Sequence, residues 1–253
     1  MIAVSSPAFS GMPFHRALET IASNFKAWEV VAEGRHDLRT IEKEFLALAP
    51  SYDLKYSAHA PMSDINIGSL NPRLREAAMS ELVAGLEACR RLEMDVYTVH
   101  PSFLTPIGLV CRDKVLETAR SSLRLLDGLS AELGVKVALE NMPRGPFSMG
   151  TTPQSLVEMA EGTGLGFCLD VGHAHTMGLL QEFMDLKHRL VNLHVHDNRG
   201  DYDAHLPIGD GTVDFRLVVD ELAGYGGRFV IESRGLEDAL VSRDRLAAML
   251  SGR

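Results

Sequence analysis

Gly166-Phe167-Cys168-Leu169-Asp170 is an apolar run that ends on a carboxylate, and Val171-Gly172-His173 follows it at once. Side chains along a strand alternate between two faces, so Cys168 and Asp170 share one face while Phe167 and Leu169 take the other. The same pattern returns in Ser57-Ala58-His59, Thr98-Val99-His100, Ala138-Leu139-Glu140, Asn192-Leu193-His194 and Val230-Ile231-Glu232. Each run ends on a His, Asp or Glu and then breaks into a loop. Bulky residues such as Val137, Leu139, Val191, Leu193, Phe229 and Ile231 fall on the face expected to meet helices. Donors on the ends of successive parallel strands converge on one point only if the strands close into a barrel. In such barrels the chemistry sits at the C-terminal mouth.

Working outward, strand-like runs occur at residues 2–6, 27–33, 55–60, 95–100, 136–141, 166–171, 190–196 and 228–233. Between them apolar residues recur at three and four, as in Arg73 to Leu92 and Arg112 to Leu133, the period of an amphipathic helix. Asn71-Pro72 and Thr152-Pro153 pair a capping side chain with a first-turn proline, and Gly134 stands where a helix should stop. Eight strand-then-helix units with no linker between them predict an α/β fold, one (β/α)8 TIM barrel domain spanning residues 1–253.

A net charge of −9 disfavours a large nucleic-acid surface, because phosphate neutralisation is the main source of duplex affinity. No stretch reaches the roughly 20 apolar residues of a membrane span. The N-terminus reads as a strand, without the basic start of a signal peptide. Three cysteines in no paired motif predict a reducing, cytoplasmic setting without disulfides.

His and carboxylate donors without cysteine suit zinc, manganese, cobalt or iron(II). Besides the six strand ends, His173 follows Asp170 at three residues. Asp203 and His205 share one side of an extended segment, Asp203-Ala204-His205-Leu206-Pro207-Ile208-Gly209-Asp210-Gly211, and form a natural chelating pair. A single His, Asp or Glu at a strand end is as readily an ordinary polar residue; six such ends in series are not.

The motifs His59-Ala60-Pro61, His100-Pro101, Glu140-Asn141, Asp170-x-x-His173, His194-x-x-Asp197, Asp203-x-His205 with Gly209-x-Gly211, and Glu232 resemble, in this order, the xylose isomerase-like TIM barrels. That superfamily includes endonuclease IV as well as sugar isomerases and epimerases. The resemblance is carried by residues 55 to 233. It implies that His59, His100 and Glu140 hold one metal, that Glu140, Asp170, His194 and Glu232 hold a second, and that His173, Asp203 and His205 hold a third. Up to three zinc ions are implied by the endonuclease likeness, or one manganese, cobalt or magnesium by the isomerase likeness.

Several positions depart from the endonucleases. The DNA-entering loop is replaced by Met62-Ser63-Asp64-Ile65-Asn66-Ile67, the path from His194 to His205 is short, and Ala204 replaces an arginine. The second barrel loop, near Gly34-Arg35-His36, is also short. His196 stands where they carry asparagine and is a candidate for substrate binding or for support of the metal ligands. Glu33, Arg199 and Arg234 are further candidates for contacting a sugar hydroxyl or phosphate, and Asn141 for orienting Glu140.

Two reactions fit this set. The first is sugar or sugar-phosphate isomerisation or epimerisation, with an enediolate stabilised by a metal and the proton moved by Glu140 and Glu232. The alternative is phosphodiester hydrolysis at a trinuclear cluster, with abasic DNA or a small phosphoester as substrate. A metal-containing barrel that binds a sugar without turnover is the third, non-enzymatic option.

Overall fold

Period-two alternation becomes eight parallel strands: β1 (Ile2–Ser5), β2 (Ala27–Val31), β3 (Lys55–His59), β4 (Val96–Val99), β5 (Lys136–Glu140), β6 (Gly166–Asp170), β7 (Leu190–Val195) and β8 (Phe229–Glu232). In the computed structural model, which describes residues 1–252, they pair in sequence order and β8 closes on β1. The result is a single (β/α)8 barrel. Strands end one or two residues earlier than the sequence predicts, so His100 sits just past β4 and Glu33 beyond β2.

Helix punctuation follows the side chains. The Asn71 carboxamide accepts from the Arg73 amide at the head of Pro72–Arg91. Thr152 and Ser155 cap Pro153–Met159 reciprocally, and Gly134 ends Arg112–Leu133 at φ 68°, a left-handed conformation that glycine adopts without strain.

Outside the strands, Val137, Leu139, Phe167, Leu169, Leu193, Phe229 and Ile231 join one large core with the surrounding helices. Inside, small residues fill the lower barrel in two sets, Ala3 with Ala27 and Val230, and Val96 with Ala138 and Cys168. Val191 departs from expectation: it packs against the second inner set, where the β6–β7 register shifts between Phe167 and Cys168. Above these sets the interior turns polar. The Asn192 carboxamide donates to Glu29 Oε2 at 2.7 Å and to Thr98 Oγ1 at 2.9 Å, and Ser57 Oγ donates to Glu29 Oε2 at 3.1 Å. This layer is the floor of the site. No helix among the described residues is long and apolar enough to cross a membrane.

Candidate metal centre

All nine sequence-predicted ligands meet at the C-terminal mouth. One donor atom each from His59, His100 and Glu140 lies within 4.8 Å of the others, and the same holds for Glu140, Asp170, His194 and Glu232. A third group is His173, Asp203, His205 and, in addition, His196. Glu140 belongs to both inner groups. Its Oε2 lies 3.2 Å from His59 Nε2 and 3.3 Å from His100 Nε2, while its Oε1 lies 3.2 Å from His194 Nδ1.

Three imidazoles are fixed in the same manner. His59 Nδ1 lies 2.8 Å from the Ala60 carbonyl oxygen, His173 Nδ1 2.8 Å from the Asn141 carbonyl oxygen, and His194 Nε2 2.8 Å from Glu29 Oε1. Each of these acceptors takes one ring N–H, so the other nitrogen faces the carboxylates, where it holds a proton or, once deprotonated, can offer its lone pair to a cation. Ligating histidines require this arrangement. His194 Nδ1 in consequence faces Glu140 and Glu232 at 3.2 Å each and Asp170 Oδ2 at 3.9 Å.

Charge in the cluster is compensated but crowded. Burial opposes ionisation of Glu140, yet the charge on His194 and the hydrogen bonds from His100, His194 and His59 hold its carboxyl well below the usual range. Burial likewise works against a charged His59, and Glu140 outweighs it, raising the ring to about 9. For His173, burial is outweighed by Asp170 and Asp203, which raise it to about 10. These imidazoles carry protons that a cation would replace.

The donor set fits a divalent cation. Asp170 Oδ2, Asp203 Oδ1 and both nitrogens of His196 are buried without a hydrogen-bond partner among the described residues. Such atoms cost about 1–3 kcal/mol each when left unpaired. Cys168 Sγ also lies near Glu140 and His194, but burial pushes its thiol well up, and it packs in the inner apolar layer.

Other candidates are placed differently. Glu33 accepts hydrogen bonds from the Met62 and Ser63 amides and from Ser63 Oγ, so its carboxylate holds the loop after β3. Burial raises and these amides lower its carboxyl, with a net shift down. Arg199 and Arg234 are exposed; Arg234 Nε donates to the Ala204 carbonyl between Asp203 and His205. The expected role of Asn141 is corrected. Its side chain pairs with the backbone of Asp170, accepting from the amide at 2.7 Å and donating to the carbonyl at 2.9 Å, so it aligns β5 with β6 and leaves Glu140 to the histidines.

Two residues that sequence reasoning passed over are central. Glu29 points into the barrel from β2, fully buried beneath His194; its signal was a lone carboxylate inside the apolar run Ala27-Trp28-Glu29-Val30-Val31. Asp197 was noticed only as part of a motif. Its buried carboxylate accepts from the amides of Asn198, Gly209, Gly211 and Val213, gathering the loop that carries Asp203 and His205. The glycine spacing has the same origin: a Cβ at Gly211 would stand 2.3 Å from Asp197 Oδ1, and Gly209 has φ +91°.

Comparison with known proteins agrees with this architecture. The uncharacterized protein MJ1311 of Methanocaldococcus jannaschii is 33% identical over 258 residues, spanning 98% of this chain and 88% of its own. A crystal structure of a D-tagatose 3-epimerase-like protein superimposes with a TM-score of 0.92 at 32% identity, covering 99% of this chain and 97% of the other. A probable endonuclease 4 of Mycobacterium leprae is 28% identical over 188 residues, which span 69% of this chain and 71% of that one. Residues 18–249 match the xylose isomerase-like TIM barrel model, and the chain belongs to that family.

Proposed function

We propose that the protein is a divalent-metal-dependent sugar or sugar-phosphate isomerase or epimerase. The observation that supports this most is the convergence of Glu140, Asp170, His194 and Glu232, from four successive strands, at the open end of the barrel. A cation held there would supply Lewis-acid polarisation of neighbouring substrate oxygens. Glu140 and Glu232, on β5 and β8, both stand 3.2 Å from His194 Nδ1 and flank the place where a carbon acid would lie. One removes the proton and the other returns it. Likeness to a D-tagatose 3-epimerase-like protein along nearly the whole of both chains favours a small polyol substrate.

A second reading, phosphodiester hydrolysis, is favoured by the full nine-residue set and by the similarity to probable endonucleases 4. Against a DNA substrate stand the net charge of −9 and the short loops. The deciding experiment incubates the metal-loaded protein with ketoses and ketose phosphates in deuterated water. Solvent deuterium appearing at a carbon beside the carbonyl supports the isomerase reading. No exchange on any sugar, together with hydrolysis of abasic DNA or a small phosphodiester, replaces it with the second.

A further inference from the structure

His196 is fully buried, and neither ring nitrogen has a hydrogen-bond partner among the described residues. Its Nε2 lies 3.1 Å from Asp170 Oδ1 and 3.4 Å from Asp203 Oδ1, close enough for charge contact but without hydrogen-bond alignment. The ring lies face to face with His205, centroids 3.9 Å and planes 12° apart, so one of the two must turn for both to aim a nitrogen at the same ion, and it stands edge-on to His173 at 5.6 Å. A side chain at Gly172 would intrude on it, since a Cβ there would lie 2.0 Å from the His196 ring. The backbone of the helix Val171–Met177 is shaped around an imidazole that no hydrogen bond among the described residues satisfies.

Resting on the metal-dependent reading above, we propose that His196 completes a four-ligand cation site with His173, Asp203 and His205. Three histidines and one aspartate fill the tetrahedral shell that zinc prefers and leave no position open for water or substrate, whereas the inner group, with three carboxylates and one histidine, suits a cation of larger shell that keeps room for substrate oxygens. The four side chains come from three places: the helix after β6, the residue just past β7, and the loop between Asp197 and Val213. A cation held by all four fastens that loop to the barrel wall. Turnover then belongs to the group of Glu140, Asp170, His194 and Glu232, and the outer group keeps the mouth in shape.

Metal-free protein is loaded with zinc, freed of excess by gel filtration and analysed for metal, alongside His196→Asn, His205→Asn and Glu232→Gln. His196→Asn and His205→Asn are each expected to lack one equivalent that the wild type retains. The loss in affinity should exceed the roughly 10–100-fold typical of groups that merely support a ligand. Cobalt-loaded wild type should show the intense visible bands of a four-coordinate ion, and His196→Asn should lose them. Retention of every zinc and of the cobalt spectrum in His196→Asn overturns the proposal. If in that case Glu232→Gln still loses an equivalent, the metal-dependent reading stands and only the role of His196 falls. If the wild type itself retains no zinc or cobalt, both fall.

Discussion

The carboxylate of Glu29 lies 2.8 Å from Nε2 of His194, and both side chains are fully buried. Burial resists a charged Glu29, but the charge and hydrogen bond of His194 hold its carboxyl below the ordinary value. The pair fixes the His194 ring so that Nδ1 faces Glu140, Asp170 and Glu232.

Glu29→Gln keeps one oxygen for the ring N–H but sets an amide NH2 where Oε2 accepted from Ser57 and Asn192, and it removes the charge that would make His194 a basic ligand. Metal affinity should fall by about 10–100-fold with the fold intact. Competition against a chromophoric chelator measures it, and an unchanged affinity would mean that the carboxylate serves packing alone.

Glu232 is the most accessible carboxylate of its group, its side chain 14% exposed against 1% for Glu140. Glu232→Gln should lower turnover of the true substrate by about 10²–10⁴-fold. Near-normal activity in that variant would remove Glu232 from proton transfer. A circular dichroism spectrum unchanged from wild type separates lost chemistry from lost structure.

Asp197→Ala strips four backbone amides of their shared acceptor inside a buried loop. A loss of roughly 3 kcal/mol or more is expected, lowering the melting temperature by roughly 6–12 °C for a chain of this size. Hydrogen exchange should accelerate at Gly209, Gly211 and Val213 and leave the strands protected. Uniform loss of protection would show instead that the loop and barrel unfold together.

Glu33 gives a pH dependence of defined sign. Its carboxyl lies below the ordinary 4.5 in the folded protein, so its contribution is complete above pH 4.5 and is lost as pH falls through the lowered folded value. Glu33→Gln should cost about 1 kcal/mol at pH 7, a figure already reduced for partial exposure. That difference should close in acid. Denaturant titrations of both metal-free proteins at pH 7 and pH 3 test it, and a gap no smaller at pH 3 than at pH 7 would contradict the assignment.

The barrel and its six strand-end donors were legible because two independent regularities coincide, while His173, Asp203 and His205, on a helix and a loop, were legible only from their spacing and the family motifs. Alternation sets the inward face, and only a residue at the C-terminal end of that face can reach the mouth. Glu29 breaks the second regularity. It sits in the middle of β2, and its use depends on His194, 165 residues away in sequence. Asn141 was misread for a related reason: adjacency to Glu140 suggested a partner, whereas strand geometry turns neighbouring side chains to opposite faces and hands Asn141 to β6. His196 reads from the sequence as a substrate-binding or supporting residue because it lies one alternation step beyond a strand-end donor, where sequence alone does not separate a donor from a neighbour of donors.

The inner sets Ala3, Ala27, Val230 and Val96, Ala138, Cys168 are at most 3% exposed, and the polar floor rests directly on them. The barrel therefore has one doorway. For the proposed metal-dependent enzyme, cation, substrate and product would share that doorway, so a ligand seated above the ion would block its way out. Chelators should then strip the resting protein quickly and the saturated protein slowly.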